Sequence, residues 1–450
     1  MTTLALQSIA TELDGQLNHG DCQFDRVCTD TRALQPGDVF VALRGPRFDA
    51  HNFLEEAARK QAKALIVEKR DDSIQLPQLV VKDTTWALGQ IARINRELFR
   101  GPLIGITGSC GKTTVKTLVH NILALCGNTL ATRGSLNNHI GVPLTLFELN
   151  ANHQFAVIEM GASASGEIAY LAQIAKPNIA LVTNALLAHV AGFGSLRGVA
   201  VSKGEIYQHL SADGVAIVNA DDPQVAIWLD QIGQRKTVRF SVHGNEAEFT
   251  ASDVDERANG TVAFVLSMPG TSFPVQLRLL GKQNVANALA AAACAYSVGA
   301  SAEKIQQGLE QSSAVSGRMQ AHSGANNCIV IDDSYNANPD SVKAAIDSLA
   351  HWQGKTVLVL GDLGELGSEE RQLHEQVGRY AKSAGINYLF GTGPLTKLAC
   401  AAFGEGAEYF KDHAAVILRL QEFVDADTVV LVKGSRAARM EQVVNAIVVD

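Results

Sequence analysis

Short apolar runs alternate with amphipathic stretches along most of the chain, and this alternation predicts an α/β protein built in three units. Residues 1–100 predict a short amphipathic helix to Leu13, strands at Val39–Leu43, Ala64–Val67 and Leu79–Val81, and helices across His51–Lys63 and near Thr85–Phe99. Gly101-Pro102 then punctuates the chain, and a domain boundary is expected there. The second unit, 101–313, places strands such as Phe155–Ile158, Ile179–Val182 and Val215–Val218 between helical stretches, the pattern of a mostly parallel sheet covered by helices. From about Phe240 to Leu280 it turns β-rich, and an Asn- and Ala-rich helix follows. A second boundary is expected within Ser312–Arg318. Over 314–450 the alternation resumes, with strands at Cys328–Ile331, Thr356–Leu360 and Thr428–Val432, a helix capped by Asn338 with Pro339 at its first position, and a closing helix. This third unit reads as a Rossmann-like domain without a GxGxxG fingerprint of its own.

The most informative stretch is LIGITGSCGKTT, Leu103 to Thr114. An apolar strand stops at a Gly-rich turn, and Val115, Leu118, Val119, Ile122 and Leu125 then recur at helical spacing. A loop of Gly108, Ser109, Cys110 and Gly111 lets backbone N–H groups approach a polyphosphate, Lys112 adds a point charge, and the hydroxyls of Thr113 and Thr114 can serve Mg²⁺ or phosphate. Ile106 stands where the longer GxxxxGK[ST] pattern has its first Gly, so this is a shortened form of the loop. It implies use of ATP or GTP.

Composition narrows the class without naming a reaction. At 450 residues, with 46% hydrophobic and 19% charged residues, the chain has material for two to three cores and no disordered or membrane bias. A formal charge of −8 without a Lys/Arg cluster speaks against a nucleic-acid partner. The seven cysteines form no CxxC pair, and the longest apolar run, Ala288 to Tyr296, is too short to span a bilayer. A reducing cytoplasm, no membrane insertion and a monomer are the expectation.

Outside the loop, several polar residues sit where strands end. Glu159 closes an apolar strand and suits a Mg²⁺ ligand, a solvated strand-end Glu being the plain alternative. His189, five residues past Asn184, could equally be a hydrogen-bonded structural residue, and Lys203 a surface lysine. Asn284 and Asn287 share a helix face and could read a purine edge or simply open a helix. The cluster Asp332, Asp333, Ser334, Tyr335, Asn336 and Asn338 is either a ligand site or an Asx-type turn.

Taken in order, TGSCGKTT, SLNNHIGVP, IEMGA around Glu159, the Asn184 to His189 spacing, Lys203, Asn284/Asn287, SGR ending at Arg318 and DDSYNANP resemble the Mur ligase family over nearly the whole chain. The resemblance implies an ATP-dependent amide ligase of peptidoglycan precursor synthesis that works through an acyl phosphate, with two Mg²⁺ ions. SYNANP, with TDTR and RFDAHNF near the N-terminus, looks most like the member that joins D-alanyl-D-alanine to UDP-N-acetylmuramoyl-tripeptide; no DNPR element of the diamino-acid-adding member is present. A folylpolyglutamate-synthase-like amide ligase is the alternative, and a P-loop switch without peptide chemistry the rival from another class. Carried over residue by residue, the resemblance makes Lys112, Glu159, His189 and Lys203 catalytic. It puts metal on Thr113, Glu159, His189 and a carbamylated Lys203, adenine against Asn284 and Asn287, Arg318 near the phosphates and Asp333 near the ribose. Thr31, Arg32, Arg47, Phe48 and His51 would hold the uridine-linked substrate, making 1–100 a UDP-substrate-binding domain, with Asn137, Asn138, Tyr335, Asn336 and Asn338 extending its site. Because ATP would be held by two units, a ligand-dependent hinge is expected at 312–318.

Overall fold

The computed structural model describes residues 1–46, 48–187 and 190–449. Its strands gather into three principal sheets, one for each stretch of alternating pattern. The first combines β1 (Gln16–Asn18), β2 (Val27–Cys28), β3 (Val39–Val41), β4 (Ala64–Val67) and β5 (Gln78–Val80) in the order β1-β5-β4-β3-β2, with only β1 antiparallel to its neighbour. Helix α1 (Leu6–Glu12) precedes it, and α2 (Leu54–Arg59) follows a single 3₁₀ turn, Ala50–Phe53, where the periodicity predicts one continuous helix. The Asp49 side chain caps that turn by accepting from the His51 N–H.

Helix α3 (Thr84–Leu98) follows the first sheet in sequence yet packs against the second unit, on α5 (Gly141–Phe147) and α6 (Glu167–Ala175). Asp83 starts it by accepting from the N–H groups of Thr85 and Trp86. Near its end the buried Arg96 guanidinium donates to the carbonyls of Ala175 and Lys176 and to Asn178 Oδ1, at 2.8, 3.0 and 3.0 Å. Those are carbonyls that the C-terminus of α6 leaves without helical donors.

The central sheet has nine strands: β6 (Leu103–Thr107), β7 (Thr129–Ala131), β8 (Phe155–Glu159), β9 (Ile179–Val182), β10 (Val215–Asn219), β11 (Lys236–Ser241), β12 (Phe249–Glu256), β13 (Thr261–Met268) and β14 (Thr271–Leu280). Their order is β7-β8-β6-β9-β10-β11-β12-β13-β14. The pairs from β7 to β12 are parallel, and β12-β13-β14 is the antiparallel addition. All five residues of β6 are buried, which explains why its sequence is a continuous apolar run rather than an alternation. On one face α4 (Lys112–Ala124) lays down Val115, Leu118, Val119, Ile122 and Leu123, and α8 (Gln283–Ser297) packs beside it. The unbroken buried run from Ala288 to Ala295 lets α8 approach closely. The opposite face carries α6 and α7 (Leu196–Gln208).

The third sheet, β15 (Gln320–Ser323), β16 (Ile329–Asp333), β17 (Lys355–Gly361), β18 (Tyr388–Thr392), β19 (Ala407–Phe410) and β20 (Thr428–Lys433), runs β15-β16-β20-β17-β18-β19, parallel apart from β15. Helix α9 (Pro339–Ala350) begins at Asn338 with a full capping box, as its sequence predicts, and α10 (Glu441–Ile447) closes the chain. Strand β16 runs two residues further than expected, through Asp332 and Asp333. Asp333 lies opposite Lys433 in the ladder and pairs with it, so two charged residues end two buried strands together. Among the described residues no helix is long and apolar enough to cross a membrane.

Candidate active site

The strand-loop-helix unit of β6 and α4 has the geometry its sequence implies. Gly108 and Gly111 hold φ of 147° and 81°, values that side chains other than glycine rarely adopt. A Cβ at Gly108 would overlap the Thr183 hydroxyl, so the loop lies tight against the end of β9. Cys110 N–H donates to Asn184 Oδ1 at 2.9 Å, and the Thr183 hydroxyl donates to the Cys110 carbonyl at 2.6 Å. Lys112 Nζ folds back onto the Gly108 carbonyl at 2.7 Å. Burial pulls its pKa down from the ordinary lysine value, and the Glu159 carboxylate works against that shift.

Glu159 is buried, not solvated. Its Oε1 accepts from Asn137 Nδ2 at 2.8 Å and from the Thr113 hydroxyl at 3.2 Å. Its Oε2 is buried with no hydrogen-bond partner among the described residues, and Lys116 Nζ stands 3.8 Å away. An orphaned carboxylate oxygen beside a threonine hydroxyl at the mouth of a phosphate loop fits a hard divalent cation, which would complete its shell with phosphate oxygens and water. His189, expected beside it, lies outside the described residues.

Lys203 is not a surface lysine: it lies buried within α7, its Nζ 5.5 Å from the centre of the Phe193 ring. Burial, reinforced by the Lys112 charge, pulls it down to about 7, so a neutral amine is available near neutral pH.

Two cavities flank the loop. The smaller, about 280 Å³, runs from Ser109–Gly111 to Asn284, Asn287 and Asp333, with Leu279, Ala286 and Val315 on its walls. Asn287 Nδ2 donates to Asn284 Oδ1, and Asn284 Nδ2 to the Leu280 carbonyl, so the amides are fixed against one another as well as facing the cavity. Asp333 also lines it, but one oxygen accepts from the Met319 N–H and the other is held by Lys433. The larger cavity, about 670 Å³, lies on the other side of Lys112 and Glu159 and is lined by Asn137, Asn138, Tyr335, Asn336 and Asn338.

Arg318 lines both cavities, its guanidinium 4.2 Å over the Tyr335 ring and its Nη2 3.4 Å from the Thr113 hydroxyl. Asn338 Nδ2 reaches Cys110 Sγ at 3.1 Å. The third unit therefore meets the phosphate loop directly.

Among the described residues, the N-terminal candidates Thr31, Arg32, Phe48 and His51 line neither cavity. Thr31 gives its carbonyl to Lys60, Arg32 forks onto Asp30, and Phe48 stacks on Phe53. His51 is engaged at both ring nitrogens, Nδ1 with Asp49 and Nε2 accepting from the Glu68 N–H. Arg47 lies outside the described residues. Lys116 and Lys433 escape the sequence reading. Lys433 is legible in hindsight as the polar end of the buried run TVVLVK, and Lys116 follows Lys112 by one helical turn.

A phosphate loop, a buried carboxylate and a desolvated lysine at the carboxyl edge of one parallel sheet, with an arginine brought in by a second, define an ATP-dependent ligase of the Mur type. The Mur ligase middle domain model matches residues 106–295, and the Mur ligase, glutamate ligase domain model matches 317–436. The chain is 46% identical over 449 residues to the UDP-N-acetylmuramoyl-tripeptide--D-alanyl-D-alanine ligase of Escherichia coli, covering 99% of each. It is 38% identical to the Haemophilus influenzae protein of that name, covering 98% of this chain and 97% of the other. A crystal structure of MurF from Acinetobacter baumannii superposes with a TM-score of 0.94 at 35% identity, over 99% of this chain and 98% of that one. The chain belongs to the UDP-N-acetylmuramoyl-tripeptide--D-alanyl-D-alanine ligase family.

Proposed function

We propose that this protein uses ATP to join D-alanyl-D-alanine to UDP-N-acetylmuramoyl-tripeptide in peptidoglycan precursor synthesis, through an acyl phosphate. The carboxylate of the tripeptide attacks the γ-phosphorus and ADP leaves. The dipeptide amine then attacks the acyl carbon, the C–O bond to phosphate breaks, and the amine loses a proton as the amide forms. What supports this reading above all is the convergence of Lys112, Glu159 and Arg318 on one loop in a chain that matches the family end to end.

In this reading, ATP lies in the smaller cavity, its base near Asn284 and Asn287 and its phosphates along residues 108–114, with Asp333 toward the ribose. Lys112 would exchange the Gly108 carbonyl for phosphate oxygens, an inexpensive exchange because its desolvation is already in place. Mg²⁺, when bound, supplies charge neutralisation for phosphoryl transfer between two anions. Thr113 and Glu159 would hold it, with Glu159, His189 and a carbamylated Lys203 serving a second ion. The Lys203 amine meets the chemical requirement for carbamylation, since only a neutral amine captures CO₂. Asn137, Asn138, Tyr335, Asn336 and Asn338 would line the acceptor side, and Thr31, Arg32, Arg47, Phe48 and His51 the uridine end. The division into 1–100, 101–313 and 314–450, with a hinge at 312–318, belongs to the same reading.

The experiment is phosphate release with ATP, Mg²⁺, UDP-muramoyl-tripeptide and D-Ala-D-Ala, each omitted in turn. Dependence on all four is expected; phosphate release that ignores the dipeptide would overturn the proposal.

A further inference from the structure

The larger cavity has to hold a nucleophile that is charged at both ends before it reacts. The amine must reach the acyl carbon beside the phosphates, while the carboxylate of a dipeptide ends roughly 6–7 Å away along an extended chain. A carboxylate taken into a cavity needs a cation or a set of donors. Lys112 is engaged by the Gly108 carbonyl of the loop, and Arg318 stands by Thr113. Among the described residues on the wall contributed by the third unit, the remaining cation is Arg436.

Its placement is specific. The Arg436 N–H donates to Asn336 Oδ1 at 3.3 Å, and its guanidinium sits 5.8 Å from the centre of the Tyr335 ring. That ring also carries the Arg318 guanidinium, so one aromatic plate spaces two cations, one at the reacting end and one farther out. Arg436 pairs with Glu441 at 3.3 Å, with the two side chains 64% and 35% exposed. An ion pair that open to water is weak and is readily exchanged for a substrate carboxylate.

We propose that Arg436 binds the terminal carboxylate of the incoming dipeptide and that Tyr335 sets its distance from the reacting end. The inference rests on the ligase reading above and goes beyond it by assigning the nucleophile's anchor. It makes the site a ruler: a single amino acid, shorter by about 3.8 Å, cannot span from the acyl carbon to Arg436.

The test compares D-Ala-D-Ala with its C-terminal carboxamide in steady-state turnover, at saturating ATP and UDP-muramoyl-tripeptide. The native enzyme should favour the acid by about 10- to 100-fold in kcat/KM, mainly through KM, the size of a charge-assisted hydrogen bond. Arg436→Gln should be equally poor with both dipeptides, and Arg436→Lys should recover part of the preference, with KM for ATP unchanged in each. Loss of the acid preference in Arg436→Gln alone would support the anchor. An Arg436→Gln enzyme that keeps the native preference, or a native enzyme without one, would overturn it. Native enzyme that turns over neither dipeptide would instead sink the ligase reading itself.

Discussion

A methyl group on Gly111 would overlap Oδ1 of Asn287, so the phosphate loop and the Asn pair of α8 fit together only because position 111 has no side chain. Its φ of 81° adds a second demand, since left-handed backbone costs other residues about 1–2 kcal/mol. Gly111→Ala is therefore expected to fold and to lose nucleotide affinity by at least about tenfold, measured by calorimetry with a non-hydrolysable ATP analogue.

Glu159→Gln keeps the shape of the side chain and removes its charge. The amide can still accept from Asn137 and Thr113, but it presents a neutral group to any cation and leaves Lys116 facing it without a counter-charge. The expected result is a fall in turnover of about 10²–10³, together with a lower thermal midpoint because the buried Lys116 loses its counter-charge. Mn²⁺ binding with ATP analogue, followed by electron paramagnetic resonance, should weaken in parallel; undiminished Mn²⁺ affinity would exclude Glu159 as a ligand.

For Lys203 the linkage has a definite sign. Folding lowers its pKa from 10.5 to about 7, so between those values the unfolded chain binds a proton that the folded chain does not. Stability from this group rises with pH across that window, and the desolvation penalty is complete below pH 7. In CO₂-free buffer, Lys203→Met should raise the thermal midpoint more at pH 6.5 than at pH 9, while abolishing turnover at both. An equal shift at the two pH values would contradict the buried, neutral amine.

The Lys433 and Asp333 pair is buried at adjacent strand ends. Removing one member leaves a charge without its partner in the core, at a cost of about 3–5 kcal/mol. Lys433→Met should accordingly lower the denaturant midpoint of the third unit, and the double change with Asp333→Asn should recover much of the loss. Circular dichroism in urea would show it.

Much of the fold was legible because it is written locally. The run Leu103 to Thr107, the glycines after it and the apolar stripe of α4 all lie within one short stretch, and strand, loop and helix appear where the pattern puts them. Asn338 and Pro339 likewise announce α9. Tyr388–Thr392 and Ala407–Phe410 went unread because their alternation is short and their partners are distant strands. The burial of Lys203 was illegible for a related reason: a lysine in a helix looks the same from the sequence whether its face meets water or the edge of a sheet. Lys116, Lys433 and Arg436 gain meaning only from residues 43, 100 and about 100 positions away.

Asn338 does two things with one side chain. Its oxygen starts α9, and its nitrogen touches Cys110 in the phosphate loop. Replacing it with Ala should cost about 1 kcal/mol of helix stability and also raise KM for ATP, a combination that differential scanning and kinetics can separate. The first turn of α9 is thus under two masters, and substitutions there are paid for twice. Arg436, whose guanidinium is held by an exposed pair with Glu441 and by the nearby Tyr335 ring, stands outside the phosphate loop, which leaves the enzyme free to alter what it accepts without disturbing how it is energised.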